Sequence, residues 1–309
     1  MNDFIWRWGE AEQAEWSTLL DRAIDPVLEQ SWAYGAAIEA VSPFRCRRGV
    51  CYRGDAAVAL LQVFERPVAG ILSIAKILRG PALLAPLSAE EWAAMLQPIA
   101  RARRIRYRRP LFWLPHLPDA DAPLRLLGKR PMVTGHATAM LDLTQDEAAL
   151  RAGLDGKWRN QLVKAEAGRL RVQQARSGQT LQMLVERHEV YRRSHRHRGP
   201  SDKEILALVQ ALERKDDALV LTAYTGNLPL AGMLFVRHGR GATYHAAWTS
   251  PAGRQENAHN LLLWRGMLAM KQGGAAFLDL GGLDAKAPGV ARFKLGSGAR
   301  VERLAATYL

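Results

Sequence analysis

A lysine stands directly after a phenylalanine near the end of the chain, where Phe293 and Lys294 precede the small residues Gly296, Ser297 and Gly298. A fixed cation beside backbone that a substrate can approach closely can stabilise the oxyanion of an acyl transfer. An aromatic neighbour can exclude water and so strengthen the charge interaction. A surface lysine beside a core phenylalanine would give the same dipeptide, so the pattern alone leaves both interpretations open.

A carboxylate lies a short distance upstream, in the stretch LDLGG. Asp279 sits in an apolar run that predicts a strand, and Gly281 and Gly282 follow it, with a loop expected between them and Phe293. A carboxylate in an apolar strand needs a partner. We expect Asp279 either to orient a cation such as Lys294 or to cap the glycine turn.

A general base is not required by this chemistry, because an acceptor amine can lose its proton to water or to the substrate. His245, in the predicted strand ATYHAAW, is the candidate if a base exists, and a structural histidine is the alternative. Tyr244 precedes it and is a candidate substrate contact.

The order of predicted elements is similar in the two halves of the chain: helices, an antiparallel meander, a helix, then further strands. Expected strands cover residues 45–53, 56–64, 70–78, 110–114, 133–143, 171–175, 218–224, 229–237, 242–249, 275–280 and 300–308. Helices are expected over 10–20, 30–40, 88–104, 178–192, 201–215 and 256–271, and the pattern is helical between 145 and 170, with capping boxes at Ser88 and Ser201. This predicts an α/β protein of two domains, 1–145 and 146–309, each a mixed, largely antiparallel sheet flanked by helices. The final strand could pack on the first domain.

Several segments together resemble a known family. They are YHAAWTSPAGRQENAHNLLLWRGMLAMKQGGAAFLDLGGLD with GVARFKLGSG, the basic stretch KWRNQLVKAEAGRL, and RGP at residues 79–81. Their order and spacing resemble the FemAB-like aminoacyltransferases, which are built from two domains of the acyl-CoA N-acyltransferase (GNAT) fold. The resemblance is most specific over residues 157–298. It implies two GNAT-like domains and transfer of an amino acid from aminoacyl-tRNA to an amine, commonly on a peptidoglycan precursor. It also implies that Lys294 stabilises the transition state.

The basic stretch places Lys157 and Asn160 near each other at helical spacing, with Arg159 projecting differently. The family uses a basic group in this region for the diphosphate of its acceptor, so the resemblance makes these three residues candidate phosphate contacts. A solvated basic helix face is the alternative.

A second function fits part of the pattern, an acyl-CoA or acyl-carrier-dependent N-acyltransferase. Such an enzyme needs a glycine-rich loop whose backbone N–H groups hold a pyrophosphate. Residues 250–260, SPAGRQENAHN, occupy that position and include Gly253, Arg254 and Asn257. The glycine spacing of a CoA loop is absent, which favours a bulkier donor. Arg254 and Asn257 remain candidate substrate contacts. No metal or organic cofactor is expected, with aminoacyl-tRNA as the co-substrate, or acetyl-CoA or acyl-CoA in the alternative.

One departure from the peptidoglycan-acting members lies in the first domain. Their QS..W helix typically carries a lysine for the acceptor's phosphates, whereas EQSWAYGAAIEAV, residues 29–41, has none. The acceptor could therefore be a lipid amine, a peptide or a small amino compound.

The charge balance is strongly basic, with a formal net charge of +13 over 309 residues. Such a surface favours polyanionic partners, and the runs RARRIRYRR (101–109) and YRRSHRHRG (191–199) suit contacts to a phosphate backbone. An arginine-rich composition without a specific partner is the alternative. No secretory leader or membrane-length apolar run is present, and Cys46 and Cys51 fit free thiols, so a cytoplasmic location is expected.

Overall fold

The computed structural model describes residues 3–68, 72–102, 110–115, 120–194 and 199–309. The chain divides into two compact units. The first domain comprises residues 1–137 with 303–309, and the second domain comprises residues 138–302. The division falls at residue 137, where the sequence suggested 145, because the strand that starts there belongs to the second sheet.

The bounds of the regular elements are as follows. The strands are β1 (Phe4–Trp8), β2 (Arg45–Arg53), β3 (Ala56–Val68), β4 (Leu72–Leu78), β5 (Ala82–Leu83), β6 (Leu111–Leu114), β7 (Pro131–Val133), β8 (Ala137–Asp142), β9 (Arg171–Ala175), β10 (Ala218–Thr225), β11 (Leu228–His238), β12 (Gly241–Thr249), β13 (Phe277–Gly282), β14 (Arg300–Arg303) and β15 (Thr307–Tyr308). The helices are α1 (Gln13–Asp21), α2 (Trp32–Val41), α3 (Ala89–Ala102), α4 (Asp121–Leu126), α5 (Glu147–Ala152), α6 (Gly156–Ala167), α7 (Gln179–Ser194), α8 (Asp202–Ala211), α9 (Pro251–Gln255), α10 (Ala258–Gln272) and α11 (Pro288–Gly296).

The first domain is a sheet in the order β1-β2-β3-β4-β6-β15-β7, with β5 added to β3. Its strands pair antiparallel except for β4 and β6, which run parallel. The neighbouring β3 residues Leu60 and Leu61 belong to different hydrophobic cores. Since successive side chains of a strand point to opposite faces, the sheet is covered on both sides. One core includes Met95 of α3, and the other includes Trp16 of α1.

The second domain is a sheet in the order β14-β8-β13-β12-β11-β10-β9. Strands β12 and β13 run parallel, and their pairing covers only residues 241–243 against 277–279. Helices α6 and α10 pack together against the sheet, and Gly266 lets α10 approach so closely that a Cβ there would lie 2.2 Å from the Phe235 ring. These packed helices position the start of α6 and the end of α11, which carry the site described below.

The last residues of the chain differ from the expectation. The single strand expected over residues 300–308 is two strands in two sheets, β14 beside β8 and β15 between β6 and β7. The Tyr308 hydroxyl donates to Asp121 Oδ1 at 2.6 Å, and Asp121 Oδ1 also accepts from the Ala306 backbone N–H. The C-terminus is therefore part of the first domain.

The predicted fold class is confirmed, since both sheets are mixed, largely antiparallel and flanked by helices. Both predicted capping boxes form, at Ser88 with Glu91 and at Ser201 with Glu204. Several elements were not predicted, among them the edge strand β1 and the helix α11. The segment around Phe293 is helical and not a loop between glycine turns, and Pro288 occupies the first turn of that helix.

Candidate active site

Lys294 is buried in the last turn of α11. Lys294 is only 8% exposed, and its Nζ donates a hydrogen bond to the Gly282 carbonyl oxygen at 2.9 Å. Burial lowers the pKa of Lys294 to about 8, and the nearby charge of Asp279 partly opposes this shift. The ammonium group is thus partly desolvated and held by a backbone carbonyl, an arrangement in which a charge acts strongly on a neighbouring oxyanion.

The glycine turn at the end of β13 encloses the lysine head. Gly281 has a φ of +81°, and a Cβ there would lie 3.6 Å from Lys294 Nζ. Asp279, 2% exposed, accepts hydrogen bonds from the Gly281 backbone N–H at 2.7 Å and from Thr138 Oγ1 at 2.6 Å. Asp279 therefore closes the turn through its side chain and also acts electrostatically on Lys294.

Small residues after Lys294 hold the end of α11 in place. The Ser297 hydroxyl and backbone N–H both donate to the Lys294 carbonyl oxygen, at 2.6 and 3.2 Å. Gly298 has a φ of +89°, and a Cβ there would lie 3.2 Å from the Gly153 carbonyl oxygen. The backbone needs glycine at this position because few side chains adopt that conformation.

Aromatic residues surround Phe293. Trp158 Nε1 donates to the Phe293 carbonyl oxygen at 3.0 Å, and the Phe293 ring centroid lies 6.0 Å from that of Trp158 and 5.9 Å from that of His259. Gly296 is required beneath Trp158, since a Cβ there would lie 2.9 Å from the indole. The sequence analysis missed Trp158 and His259, although Trp158 lies inside the basic stretch used for the resemblance.

His259 connects this aromatic cluster to the sheet. Its Nε2 lies 2.9 Å from the Trp248 carbonyl oxygen in β12. Burial lowers the pKa of His259 to about 4, so the ring is neutral at pH 7 and donates that hydrogen bond. His259 therefore joins α10, α11 and β12 without carrying a charge.

The predicted phosphate contacts lie at the start of α6. Asp155 caps this helix by accepting from the backbone N–H groups of Lys157 and Trp158. Its own N–H donates to the Gly296 carbonyl oxygen at 2.9 Å, which joins the start of α6 to the end of α11. The side chains of the predicted contacts are exposed on the outer surface of the helix: Lys157, Arg159 and Asn160.

Tyr244 and His245 occupy a β-bulge in β12. Leu234 pairs with Ala246 and Phe235 pairs with Tyr244, which leaves His245 as the extra residue. Burial lowers the pKa of His245 to about 4, His188 acts in the same direction and Glu204 opposes it. Burial raises the pKa of Tyr244, whose ring centroid lies 6.0 Å from that of Phe235. The groups around His245 thus come from α7 and α8, and not from the Lys294 turn.

The segment in the position of a CoA loop is packed into the protein. Ser250 caps α9 and its Oγ accepts from the Gly253 N–H at 3.0 Å. A Cβ at Gly253 would lie 2.5 Å from the Leu230 carbonyl oxygen, so this glycine serves helix–strand packing. Arg254 is exposed, and Asn257 adopts a left-handed conformation between α9 and α10 with a φ of +54°.

A different polar cluster fills the first domain beneath α2. Gln62, fully buried, accepts from Arg48 Nε at 3.0 Å and donates to the carbonyl oxygens of Glu29 and Ser31. Arg48 also stacks over Trp32 and pairs with Glu39 at 3.7 Å. Gly35 is what allows this contact, because a Cβ there would lie 2.2 Å from Gln62 Oε1. The space beneath α2 is thus filled by the protein's own side chains.

The cysteines are free thiols, as expected. Cys46 is half-buried at the edge of this cluster and Cys51 is buried. Burial raises the pKa of both thiols to about 12. Neither is a reactive nucleophile at neutral pH, because the thiolate is the reactive form.

Residues 155–295 match the family described as "Acetyltransferase (GNAT) domain". No curated protein matches the chain. The crystal structure of FemX aligns with a TM-score of 0.82 at 13% identity, over 98% of this chain and 96% of that chain. A tandem GNAT protein from the clavulanic acid biosynthesis pathway aligns with a TM-score of 0.57 at 10% identity, over 99% and 97%. L-PGS from Bacillus licheniformis aligns with a TM-score of 0.53 at 10% identity, over 89% and 90%.

The chain has a tandem GNAT fold. The structural likenesses, at these identities, show the fold, and the family match shows that the second domain is a GNAT acyltransferase domain. The structural likenesses confirm the tandem GNAT fold that the resemblance implied, and the family match over residues 155–295 confirms the predicted class of enzyme, an acyltransferase. In the part of the chain that the structure describes, no helix is long and apolar enough to span a bilayer. Most of the two arginine-rich runs, residues 103–109 and 195–198, lies outside the described residues.

Proposed function

We propose that this tandem GNAT protein transfers an aminoacyl group from aminoacyl-tRNA to an amine, with Lys294 stabilising the oxyanion. The observation that carries the proposal is the buried lysine itself. Its ammonium group is fixed by the Gly282 carbonyl oxygen beside the Gly281 turn, and Asp279 supports that turn. A cation that is already desolvated and oriented needs little reorganisation when negative charge develops next to it.

The reaction balances without a further reagent. The amine nitrogen attacks the ester carbonyl carbon, a C–N bond forms and the carbonyl oxygen becomes an oxyanion beside Lys294. The C–O bond to the tRNA ribose then breaks. The proton from the amine goes to the ribose oxygen, so the products are an amide and deacylated tRNA.

A protein base is not needed for that proton transfer. His245, the candidate base, has a pKa of about 4 and would be a weak base at pH 7. His259 has a similarly low pKa and uses its Nε2 in the bond to Trp248. We therefore assign proton transfer to the substrate, and Tyr244 and His245 to contacts with the bound donor or acceptor.

The structure of the segment before α10 favours a tRNA donor over CoA. A CoA pyrophosphate needs several free backbone N–H groups at a glycine-rich turn. Here the Gly253 N–H is taken by Ser250 Oγ and its Cα is packed against Leu230. The exposed residues Lys157, Arg159 and Asn160 at the start of α6, with Arg254 and Asn257, are our candidates for phosphate contacts.

We infer that the acceptor is an amine whose binding does not require the first domain to contact a diphosphate group. Arg48, the cation beneath α2, is already paired with Gln62, Glu39 and the Trp32 ring. The α2 helix has no lysine, and its Ala37 is buried. We therefore favour a lipid amine, a peptide or a small amino compound over a peptidoglycan precursor, and a cytoplasmic location remains a prediction.

The experiment is a comparison of three ligands at physiological salt: a charged tRNA pool, the same pool deacylated, and acetyl-CoA. We expect the charged pool to bind most tightly, because the aminoacyl ester contacts the Lys294 site in addition to the phosphate contacts. Salt must be matched because phosphate binding weakens steeply as salt rises. Saturable acetyl-CoA binding, with tRNA binding indifferent to the aminoacyl group, would contradict the proposal.

That contrary outcome defines the second candidate, an acyl-CoA-dependent N-acyltransferase. The family match over residues 155–295 favours it, since that family is described as an acetyltransferase. In that reaction the C–S bond of a thioester would break in place of the ribose ester, and Lys294 would have the same role.

A further inference from the structure

Strands β1 and β2 carry a stack of two half-buried aromatic rings, packed against the core that includes Met95, and an exposed arginine beside them. Trp6 and Trp8 stack with ring centroids 5.3 Å apart at 23°, and Arg47 lies over the Trp8 ring at 4.7 Å. Trp8 lies flat on the sheet, because a Cβ at Gly49 would be 2.7 Å from its ring. We call Trp6, Trp8, Arg47 and Gly49 the tryptophan platform.

The platform is rigid at its inner end and open at its outer end. Trp6 Nε1 donates to the Met95 carbonyl oxygen of α3 at 2.8 Å, which fixes the first ring. Arg47 is exposed, Trp8 is half-buried, and Gly49 is buried beneath the Trp8 ring. Within the part of the chain that the structure describes, β1 is the edge strand of its sheet, and no strand pairs with its other side.

Arg47 and its neighbour Arg48 differ in whether the guanidinium group has a carboxylate partner. Arg48 points to the other face of the sheet, where Gln62 and Glu39 bind its guanidinium group. Arg47 has no carboxylate within 4.0 Å among the described residues. Its guanidinium plane has one face on Trp8 and its N–H groups are not committed to an ion pair.

We infer that the tryptophan platform binds unpaired nucleotides of RNA. A base can stack on the outer face of the Arg47 guanidinium group while its N–H groups contact a phosphate, and base stacking on such platforms tolerates any sequence. The flat orientation of Trp8 favours stacking over insertion into a membrane, which would need a projecting side chain. The inference rests on the proposed function for the source of the RNA, an unpaired segment of the donor tRNA.

The test uses the full-length protein and a fluorescein-labelled, single-stranded oligoadenylate of ten nucleotides that carries no amino acid. Anisotropy titrations compare the wild type with Arg47→Ala, Arg47→Lys, Trp8→Phe and Trp8→Ala. The matched control is Arg66→Ala, an exposed arginine on β3 of the same domain. Circular dichroism and the unfolding midpoint establish that each variant is folded.

We expect Arg47→Ala to weaken binding roughly tenfold or more, and Arg66→Ala much less. The slope of log affinity against log salt should fall by about 0.7 on loss of one phosphate contact. Arg47→Lys should keep that slope and lose the stacking part of the affinity, because an ammonium group is not planar. Trp8→Phe, which keeps a ring beneath Arg47, should bind better than Trp8→Ala.

Equal affinities for Arg47→Ala, Arg66→Ala and the wild type would overturn the inference. So would RNA binding unchanged in Arg47→Ala together with lost binding to anionic phosphatidylglycerol vesicles, which would make the platform a membrane contact. Failure of the proposed function is distinguishable. If oligoadenylate binding depends on Arg47 while charged tRNA is no substrate, the RNA platform stands and the aminoacyl donor is wrong.

Discussion

Two cations in the two domains have opposite environments. Arg48 in the first domain binds Gln62 at 3.0 Å and Glu39 at 3.7 Å, and it stacks on Trp32 at 3.9 Å. Lys294 in the second domain donates to one backbone carbonyl at 2.9 Å, and burial lowers its pKa to about 8. The first cation is fully used by the structure, whereas the second is held ready for a further anionic partner.

The comparison separates stability from function. A paired buried charge can be removed only at a cost, because its partners are left unsatisfied. A desolvated charge with few partners itself costs stability, and such costs are often found at functional sites. We therefore expect substitutions of Arg48 and Lys294 to have effects of opposite sign on folding.

The largest stability effect is expected for Arg48→Met. It removes the donor to Gln62 and the partner of Glu39, and should lower the free energy of unfolding by about 2–3 kcal/mol. The matched control is Arg66→Met, on an exposed arginine of the same domain. Urea unfolding followed by circular dichroism measures both variants. Equal midpoints would contradict the claim that the contacts of Arg48 stabilise the first domain.

Lys294→Met should have the opposite sign at pH 7. Lowering a lysine pKa from 10.5 to about 8 costs roughly 3 kcal/mol, which the loss of the hydrogen bond to Gly282 partly offsets. The variant should therefore be more stable by about 1–2 kcal/mol. Because the folded state binds fewer protons between pH 8 and 10.5, the cost is full below pH 8 and disappears above 10.5.

Unfolding curves of the wild type and Lys294→Met at pH 7 and pH 10.5 test whether the substitution stabilises the protein. The stabilisation should be present at the lower pH and absent at the higher one. A variant that is equally destabilised at both would show that Lys294 is a structural residue like Arg48.

The rate of transfer should decline above about pH 8, because only the charged lysine stabilises the oxyanion. The decline approaches tenfold for each further pH unit. Asp279→Asn removes the charge that raises the pKa of Lys294 and should move this decline to lower pH. The measurement is a pH profile of single-turnover transfer to an acceptor whose nitrogen is unprotonated over this range. A profile that rises through pH 9 in both proteins would contradict the role of Lys294.

The smallest effect is expected for His259→Phe. The substitution keeps a ring beside Phe293 and removes the bond to the Trp248 carbonyl oxygen. We expect a decrease in kcat of about three- to tenfold with little change in KM, as for a misplaced positioning group. A change in KM alone would place His259 in substrate binding and not in the alignment of α11.

Local patterns in the sequence were sufficient for much of the second domain. The meander β10–β12 consists of apolar runs separated by glycine-containing turns, and its strands were predicted within a residue or two of their bounds. Ser201 and Glu204 predicted the start of α8 because a capping box is a local signal. In contrast, β1 was missed because its five residues gain their strand conformation from pairing with β2.

The site was less predictable because its contacts are distant in sequence. Gly281 and Gly282 before Lys294, and Gly296 and Gly298 after it, suggested turns on both sides, and the helix that starts at Pro288 was not predicted. Trp158 contacts the carbonyl oxygen of Phe293 across 135 positions, and no local pattern indicates such a pair. Likewise, the contrast between Arg47 and Arg48 depends on which face of β2 each side chain occupies and what lies there.

The central claim is tested most directly by single-turnover transfer of a labelled aminoacyl group from tRNA to an amine. The variants are Lys294→Met and the control Lys286→Met, an exposed lysine eight positions upstream. We predict that Lys294→Met loses about 10²–10³-fold in rate while it still binds charged tRNA, and that Lys286→Met behaves as the wild type. Equal rates for the two variants would show that the buried lysine does not stabilise the transition state.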